Sequence, residues 1–140
     1  MGNELTFTVY GIPIPQGSSR AFIPKGWNRA VITAANAKTK PWRQEIAGAV
    51  IAEIDKTGFQ MLKDGVSVEA VFYFDRPKSV KTWAKTTKPD IDKLLRSLFD
   101  ALTGHVFKDD SQVVDCNAYK RFGTPARCEV WIGEVDQWIK

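Results

Sequence analysis

The chain has 140 residues, 44% of them hydrophobic, which is the size and apolar content of one folded domain and excludes a disordered segment. Its formal net charge of +4 and its pI near 9.1 suit a polyanionic partner such as nucleic acid without indicating one, because many basic proteins have other partners. Two cysteines, Cys116 and Cys128, are too few for a disulfide framework or a complete zinc site, so we expect two reduced core thiols.

The first half of the chain predicts a strand, a hairpin and a helix. Leu5, Phe7 and Val9 alternate with more polar residues, which is typical of a half-buried strand. The stretch "GIPIPQGSSR" interrupts regular structure, and short pieces around residues 21–24 and 30–33 predict a hairpin. From Pro41 a helix is expected that ends near Gly58. Its apolar positions are Trp42, Ile46, Val50 and Ile54, with Ala47 and Ile51 beside them.

The second half predicts three strands and one helix. The segment "VSVEAVFYFD" is the clearest strand, with alternate apolar side chains from Val66 to Phe74 on one face, and a long loop follows over residues 76–89. The segment "KPDIDKLLRSLFDAL" predicts a helix whose buried stripe is Leu94, Leu95, Leu98, Ala101 and Leu102. "SQVVDCNAYKRF" and "ARCEVWIGEV", joined by "GTP", predict a hairpin.

The order of these elements predicts an α/β (α+β) fold, a single domain over residues 1–140 with one mixed β-sheet packed against two main helices. The sequence contains no repeat and no linker that would divide it. It also lacks a basic-then-apolar leader and any apolar run near the ~18 residues of a membrane span. We therefore expect a cytoplasmic protein without a membrane partner.

A change in the sign of charge draws attention to the start of the second helix. The loop before it is basic and acid-free, with Trp83 at its centre and the cations Arg76, Lys78, Lys81, Lys85 and Lys88. The next segment is acidic and contains Asp90, Asp92, Asp100, Asp109, Asp110 and Asp115. Lysines bind phosphates, and carboxylates hold a cation such as Mg²⁺, so this juxtaposition favours a metal-dependent enzyme that acts on a polyanion.

Asp90 and Asp92 are one residue apart, and in a regular helix they would not face the same side. If Asp90 is an extended N-cap, the two carboxylates can converge, and Arg96 then follows Asp92 by one helical turn. The alternative interpretation is structural, with aspartates that cap the helix and an ordinary Asp92–Arg96 ion pair. Asp109–Asp110 is likewise compatible with simple turn chemistry.

Other catalytic groups are weakly supported. His105 is the single histidine, so a serine–histidine–aspartate arrangement would depend on it alone, and the sequence has no Walker-type or GxGxxG loop. A metal held by carboxylates is what remains.

The segments "KPDIDKLLRSLFDAL" and "GHVFKDDSQVVD" together resemble the RusA-type Holliday junction resolvases of bacteria and their phages. Shared features are an aspartate pair before a helix, "DAL" within it, and a double aspartate ahead of "QVVD". The proline-rich "GIPIPQGSSR" is also similar to the start of many members. The combination is far more specific than the aspartate pair alone.

The resemblance implies that Asp90, Asp92 and Asp110 are catalytic carboxylates that bind Mg²⁺, with Mn²⁺ as a possible substitute. Asp109 would support them, and Arg96 would occupy the position of a catalytic lysine. Two residues depart from the family pattern, namely Lys93 in place of asparagine and Arg96 in place of lysine. An arginine keeps the charge but is a poor proton donor, so turnover or substrate range is expected to differ.

The implied function is resolution of four-way DNA junctions by a homodimer that makes paired symmetric nicks in recombination and repair. The expected DNA contacts are Lys78, Lys81, Lys85, Lys88, Lys93 and Arg20. Two alternatives stay open, a nuclease for flaps, forks or other branched phage DNA and a non-catalytic junction-binding protein.

Overall fold

The computed structural model describes residues 3–17, 19–23, 25–29, 31–34 and 37–139, and for residues 19–22 and 31–34 it describes the backbone alone. A four-stranded mixed sheet has the order β1-β6-β4-β5, and β2 pairs with β3 in a separate antiparallel sheet. The elements are β1 (Glu4–Tyr10), β2 (Ser19–Phe22), β3 (Val31–Ala34), α1 (Thr39–Thr57), β4 (Val66–Phe74), α2 (Ile91–Leu102), a 3₁₀ turn (Asp110–Gln112), β5 (Val113–Phe122) and β6 (Arg127–Glu134). The predicted fold class and the first hairpin are confirmed.

The strands follow their alternating patterns. In β1, Leu5, Phe7 and Val9 are buried, and in β4 every second residue from Val66 to Phe74 is buried. β4 is an interior strand, parallel to β5 and antiparallel to β6, whereas β1 is an edge strand that pairs antiparallel with β6. The position of β4 agrees with its sequence, because the strand with the longest apolar run lies in the interior of the sheet.

The two helices cover one face of the sheet and enclose a common core. α1 packs against β1 and α2, and α2 also packs against β5. The buried side of α1 includes Trp42, Ile46 and Val50, while Ile51, expected beside them, is 42% exposed. Gly58 ends α1 in a left-handed conformation (φ 74°), and its N–H donates to the Ile54 carbonyl. No helix in the described part of the chain has the length and apolar content needed to cross a bilayer.

The prediction that the last two strands form a hairpin is wrong. β5 and β6 both pair with β4, one on each side, and residues 123–126 pass over its end. The Gly123 N–H donates to the Phe74 carbonyl at 2.9 Å, and a Cβ at position 123 would lie 2.5 Å from Cδ1 of Tyr73. Any larger residue at position 123 would therefore force the Tyr73 ring to shift where the connection passes the central strand.

The same topology changes the expectation for the cysteines. Cys128 on β6 is buried and burial raises the pKa of its thiol, but Cys116 on β5 is exposed. Both thiols are free, as expected, yet only one belongs to the core. Strand β4 lies between β5 and β6, so the two cysteines are not on adjacent strands.

Candidate active site

The start of α2 presents two carboxylates that do not cap the helix. Asp90 is the N-cap residue in an extended conformation (φ −72°, ψ 141°), as the convergence argument requires, and its side chain makes no capping hydrogen bond. Asp92 follows in the first turn, and both side chains are exposed. Among the described residues Asp92 and Arg96 form no ion pair. Two interactions of the structural interpretation, the capping hydrogen bond and the Asp92–Arg96 ion pair, are therefore missing among the described residues, whereas the position of Asp92 in the first turn still complements the helix dipole.

Asp90 and Asp92 line one surface cleft of about 420 Å³. Its other walls come from the loop before α2 and from β5, and include Trp83, Lys85 and Lys120. Lys93 Nζ lies 3.9 Å from Asp90 Oδ2, which places a cation beside the carboxylate pair. The cleft thus combines oxygen ligands with ammonium groups, the donor set that a hydrated divalent cation and a phosphate need together.

Lys120 fixes the loop that delivers Asp90. Its Nζ donates to the carbonyls of Thr87 at 2.7 Å and Pro89 at 2.8 Å. Burial lowers the pKa of Lys120, the charge of Lys85 lowers it further, and Asp90 acts in the opposite direction. Sequence reasoning missed this residue because its role depends on the parallel pairing of β5 with β4, and no local pattern signals that pairing.

If Asp90 takes part in the DNA cleavage that the resemblance implies, we expect Lys120→Met to lower the single-turnover rate about tenfold, because loss of the two hydrogen bonds would displace the loop that carries Asp90. Single-turnover kinetics would measure the effect, with exposed Lys63→Met as the matched control. An unchanged rate in Lys120→Met would show that the loop keeps its conformation without the two hydrogen bonds from Lys120.

Asp109 and Asp110 have different surroundings. Asp109 Oδ1 accepts from the Ser111 N–H at 2.8 Å, and Gln112 Oε1 accepts from the Asp109 N–H at 3.1 Å. The Ser111 N–H bond is the main cause that lowers the pKa of Asp109. Asp109 is thus engaged in shaping the turn, and Asp110 beside it is exposed.

The predicted metal ligands fall into two places in a single chain. Asp110 begins the 3₁₀ turn that leads into β5, whereas Asp90 lines the same cleft as Lys120, which is near the last residue of that strand. Within the described residues, no group of three or more His, Cys, Asp or Glu side chains is positioned to hold one metal ion. Asp90 and Asp92 line one cleft, and two carboxylates are enough to hold a divalent cation that keeps several of its waters.

The predicted DNA contacts are partly grouped around this pair. Lys78, Lys81, Lys88 and Lys93 are exposed. Lys85 is half-buried, with its Nζ 5.1 Å from the centre of the Phe74 ring and bonded to Thr87 Oγ1 at 2.8 Å. The side chain of Arg20 lies outside the described residues. Trp83 is 58% exposed, with the Arg121 guanidinium 4.8 Å from its ring centre.

Comparison with known proteins shows the family of this chain. A family model described as endodeoxyribonuclease RusA matches residues 13–133. An uncharacterized protein of Bacillus subtilis (strain 168), YqaN, is 35% identical over 143 residues, which cover 94% of this chain and 96% of the relative. The match includes every element from the proline-rich segment to β6, together with both aspartate groups. The chain therefore belongs to the RusA family of endodeoxyribonucleases.

Proposed function

We propose that this nuclease acts on four-way DNA junctions, as a homodimer, with Mg²⁺ or in its place Mn²⁺. The observation that carries the proposal is the Asp90–Asp92 pair, which is uncapped, exposed and flanked by lysines in a chain of an endodeoxyribonuclease family. A four-way junction has two-fold symmetry, so paired nicks require two sites related by a two-fold axis.

The residues of the chain have distinct roles in this proposal. Asp90 and Asp92 would hold the cation, which when bound supplies charge neutralisation at the phosphate and lowers the pKa of a bound water. Arg96, exposed one turn further along α2, would stabilise charge that develops on the phosphate. Asp109 would hold the turn that presents Asp110.

Asp110 is proposed as the third catalytic carboxylate. Because it does not join the Asp90–Asp92 pair in one chain, a site with all three carboxylates needs either a movement of this turn or a contribution from the second protomer. The pair alone is sufficient for a hydrated Mg²⁺.

The basic loop would track the DNA backbone. We expect Lys81→Gln to weaken junction binding modestly and to reduce the slope of log K against log[salt] by about 1, since one phosphate contact is lost. Fluorescence anisotropy over a salt series would measure this, with Lys56→Gln in the last turn of α1 as the control. An equal slope in Lys81→Gln and the unsubstituted protein would remove Lys81 from the interface.

The experiment that tests the function is cleavage of a mobile four-way junction in Mg²⁺, Mn²⁺ and EDTA, beside a fork, a flap and a linear duplex. Symmetric nicks in the junction alone, lost in EDTA, are the expected result. Faster cleavage of forks or flaps would mean that the preferred substrate is another form of branched DNA and not the four-way junction. Tight binding of the junction without metal, together with no cleavage in Mg²⁺ or Mn²⁺, would favour a non-catalytic junction-binding protein.

A further inference from the structure

The hairpin of β2 and β3 is separate from the main sheet. The two strands form a sheet of their own, and among the described elements each packs chiefly against the other. Gly26 has a positive φ of 84°, which helps the chain to reverse between the strands. Residues 25–29, which we call the hairpin tip, are all exposed. The hairpin tip is therefore a surface that a partner of this protein can contact.

Both ends of the hairpin are fixed beside the candidate active site. Before β2, the Gln16 N–H donates to the carbonyl of Lys93, in the first turn of α2, at 2.9 Å. After β3, Thr39 Oγ1 donates to the Pro15 carbonyl at 2.8 Å, which holds the two ends together. The chain from Gln16 to the hairpin tip spans at most roughly 32 Å when fully extended. DNA bound at the start of α2 therefore passes the hairpin within about one helical turn, ~34 Å.

The hairpin tip combines two cations with an aromatic side chain. Lys25 and Arg29 lie at its two ends, in a segment, residues 5–44, that contains no aspartate or glutamate. Neither cation forms an ion pair within the described part of the chain. Trp27 lies between them and is 53% exposed, and Ile23 just before the tip is 65% exposed. Exposed cations alone are ordinary on a protein surface, but exposed apolar side chains beside them favour a binding surface for a polyanion with apolar parts.

We propose that the hairpin tip is a second DNA-binding surface, which contacts a duplex arm of the substrate away from the cleaved phosphate. Lys25 and Arg29 neutralise phosphates of that arm, and Trp27 packs into the groove between them. The major groove of DNA is wide enough to admit a two-stranded β-ribbon. An acidic protein would also attract these cations, but the attachment of the hairpin beside Asp90 and Asp92 places the tip near the DNA that this pair engages. The inference rests on the proposed nuclease function.

The first test measures binding alone, by anisotropy in EDTA over a salt series, with a junction whose arms are about 20 base pairs, two helical turns, long. The double variant Lys25→Gln/Arg29→Gln should reduce the slope of log K against log[salt] by about 2, because two phosphate contacts are lost. Trp27→Ala should weaken binding several-fold and leave the slope unchanged, since it removes no charge. The control Lys56→Gln/Lys63→Gln removes two exposed lysines elsewhere and should keep the original slope.

Hydroxyl-radical footprinting without Mg²⁺ locates the contact on the DNA. We expect one protected patch at the branch point and a second on an arm, within about one helical turn of the first. The double variant at the hairpin tip should lose only the second patch. Protection confined to the branch point would overturn the inference, as would an unchanged slope in this variant or an equal loss of slope in the lysine control.

The outcomes for the hairpin and for the nuclease are separate. Junction binding without cleavage in Mg²⁺ or Mn²⁺ would count against the nuclease proposal, while the salt slopes and the footprint would still decide the role of the hairpin tip. Normal cleavage with no arm contact would overturn the role of the hairpin tip alone. Absence of binding to any DNA would overturn both.

Discussion

We expect Asp92→Asn to lower the rate of junction cleavage by roughly two orders of magnitude or more, the loss typical when one electrostatic contact to a transition state is removed. The substitution keeps the size of the side chain but takes away the negative charge that attracts a cation. Because the side chain is exposed, we expect the fold to be unaffected. Single-turnover cleavage in Mg²⁺ measures the rate, and anisotropy in EDTA measures binding, which should stay within a few-fold.

A second aspartate of the same helix provides the matched control. Asp100 lies near the other end of α2, where its Oδ2 is 3.5 Å from Nη1 of Arg43. This partly exposed ion pair contributes little to the stability of the fold, so the Asp100→Asn protein should cleave DNA at nearly the normal rate. Equal rates for Asp92→Asn and the unsubstituted protein would exclude Asp92 from the metal site.

The largest expected effect on stability comes from Phe107, which is fully buried below the turn that presents Asp109 and Asp110. Its carbonyl accepts the Gly104 N–H at 2.8 Å, so the backbone at Phe107 is tied to the turn that follows α2. We expect Phe107→Ala to lower the free energy of unfolding by about 3–5 kcal/mol, because the lost burial is accompanied by a cavity. Urea denaturation followed by tryptophan fluorescence would measure this.

Val114→Ala is the control for Phe107→Ala. Val114 lies on the edge strand β5 and is 65% exposed, so its truncation should cost about 0.5 kcal/mol or less. A cost below about 1 kcal/mol for Phe107→Ala would fall well outside the range for a buried aromatic and would mean that this turn is not part of the core.

Local periodicity predicted the elements of this fold because burial repeats every two residues in a strand and every three to four in a helix. The pairing of β5 and β6 was predicted wrongly because their neighbour β4 lies far away in the sequence, and adjacency along the chain favoured a hairpin. The prediction that Cys116 lies in the core was wrong for the same reason, since its exposure depends on β5 being an edge strand.

The candidate site divides in the same way. Asp90 and Asp92 could be found from the sequence because a helix start and a change in charge are local signals. Lys120 could not, because it acquires its position from the loop before α2, which is distant in the sequence. Its residue type and position carry no motif.

The pairing of β1 with β6 has a consequence for synthesis of the protein. Residues 4–10 find their partners in residues 127–133, so about 120 residues separate the two halves of this ladder. At ~5–20 residues per second, β1 waits on the order of ten seconds at the ribosome before its partner emerges. A nascent chain therefore cannot complete the sheet that supports α2, and the DNA-cutting surface is assembled only when translation of this domain is nearly finished.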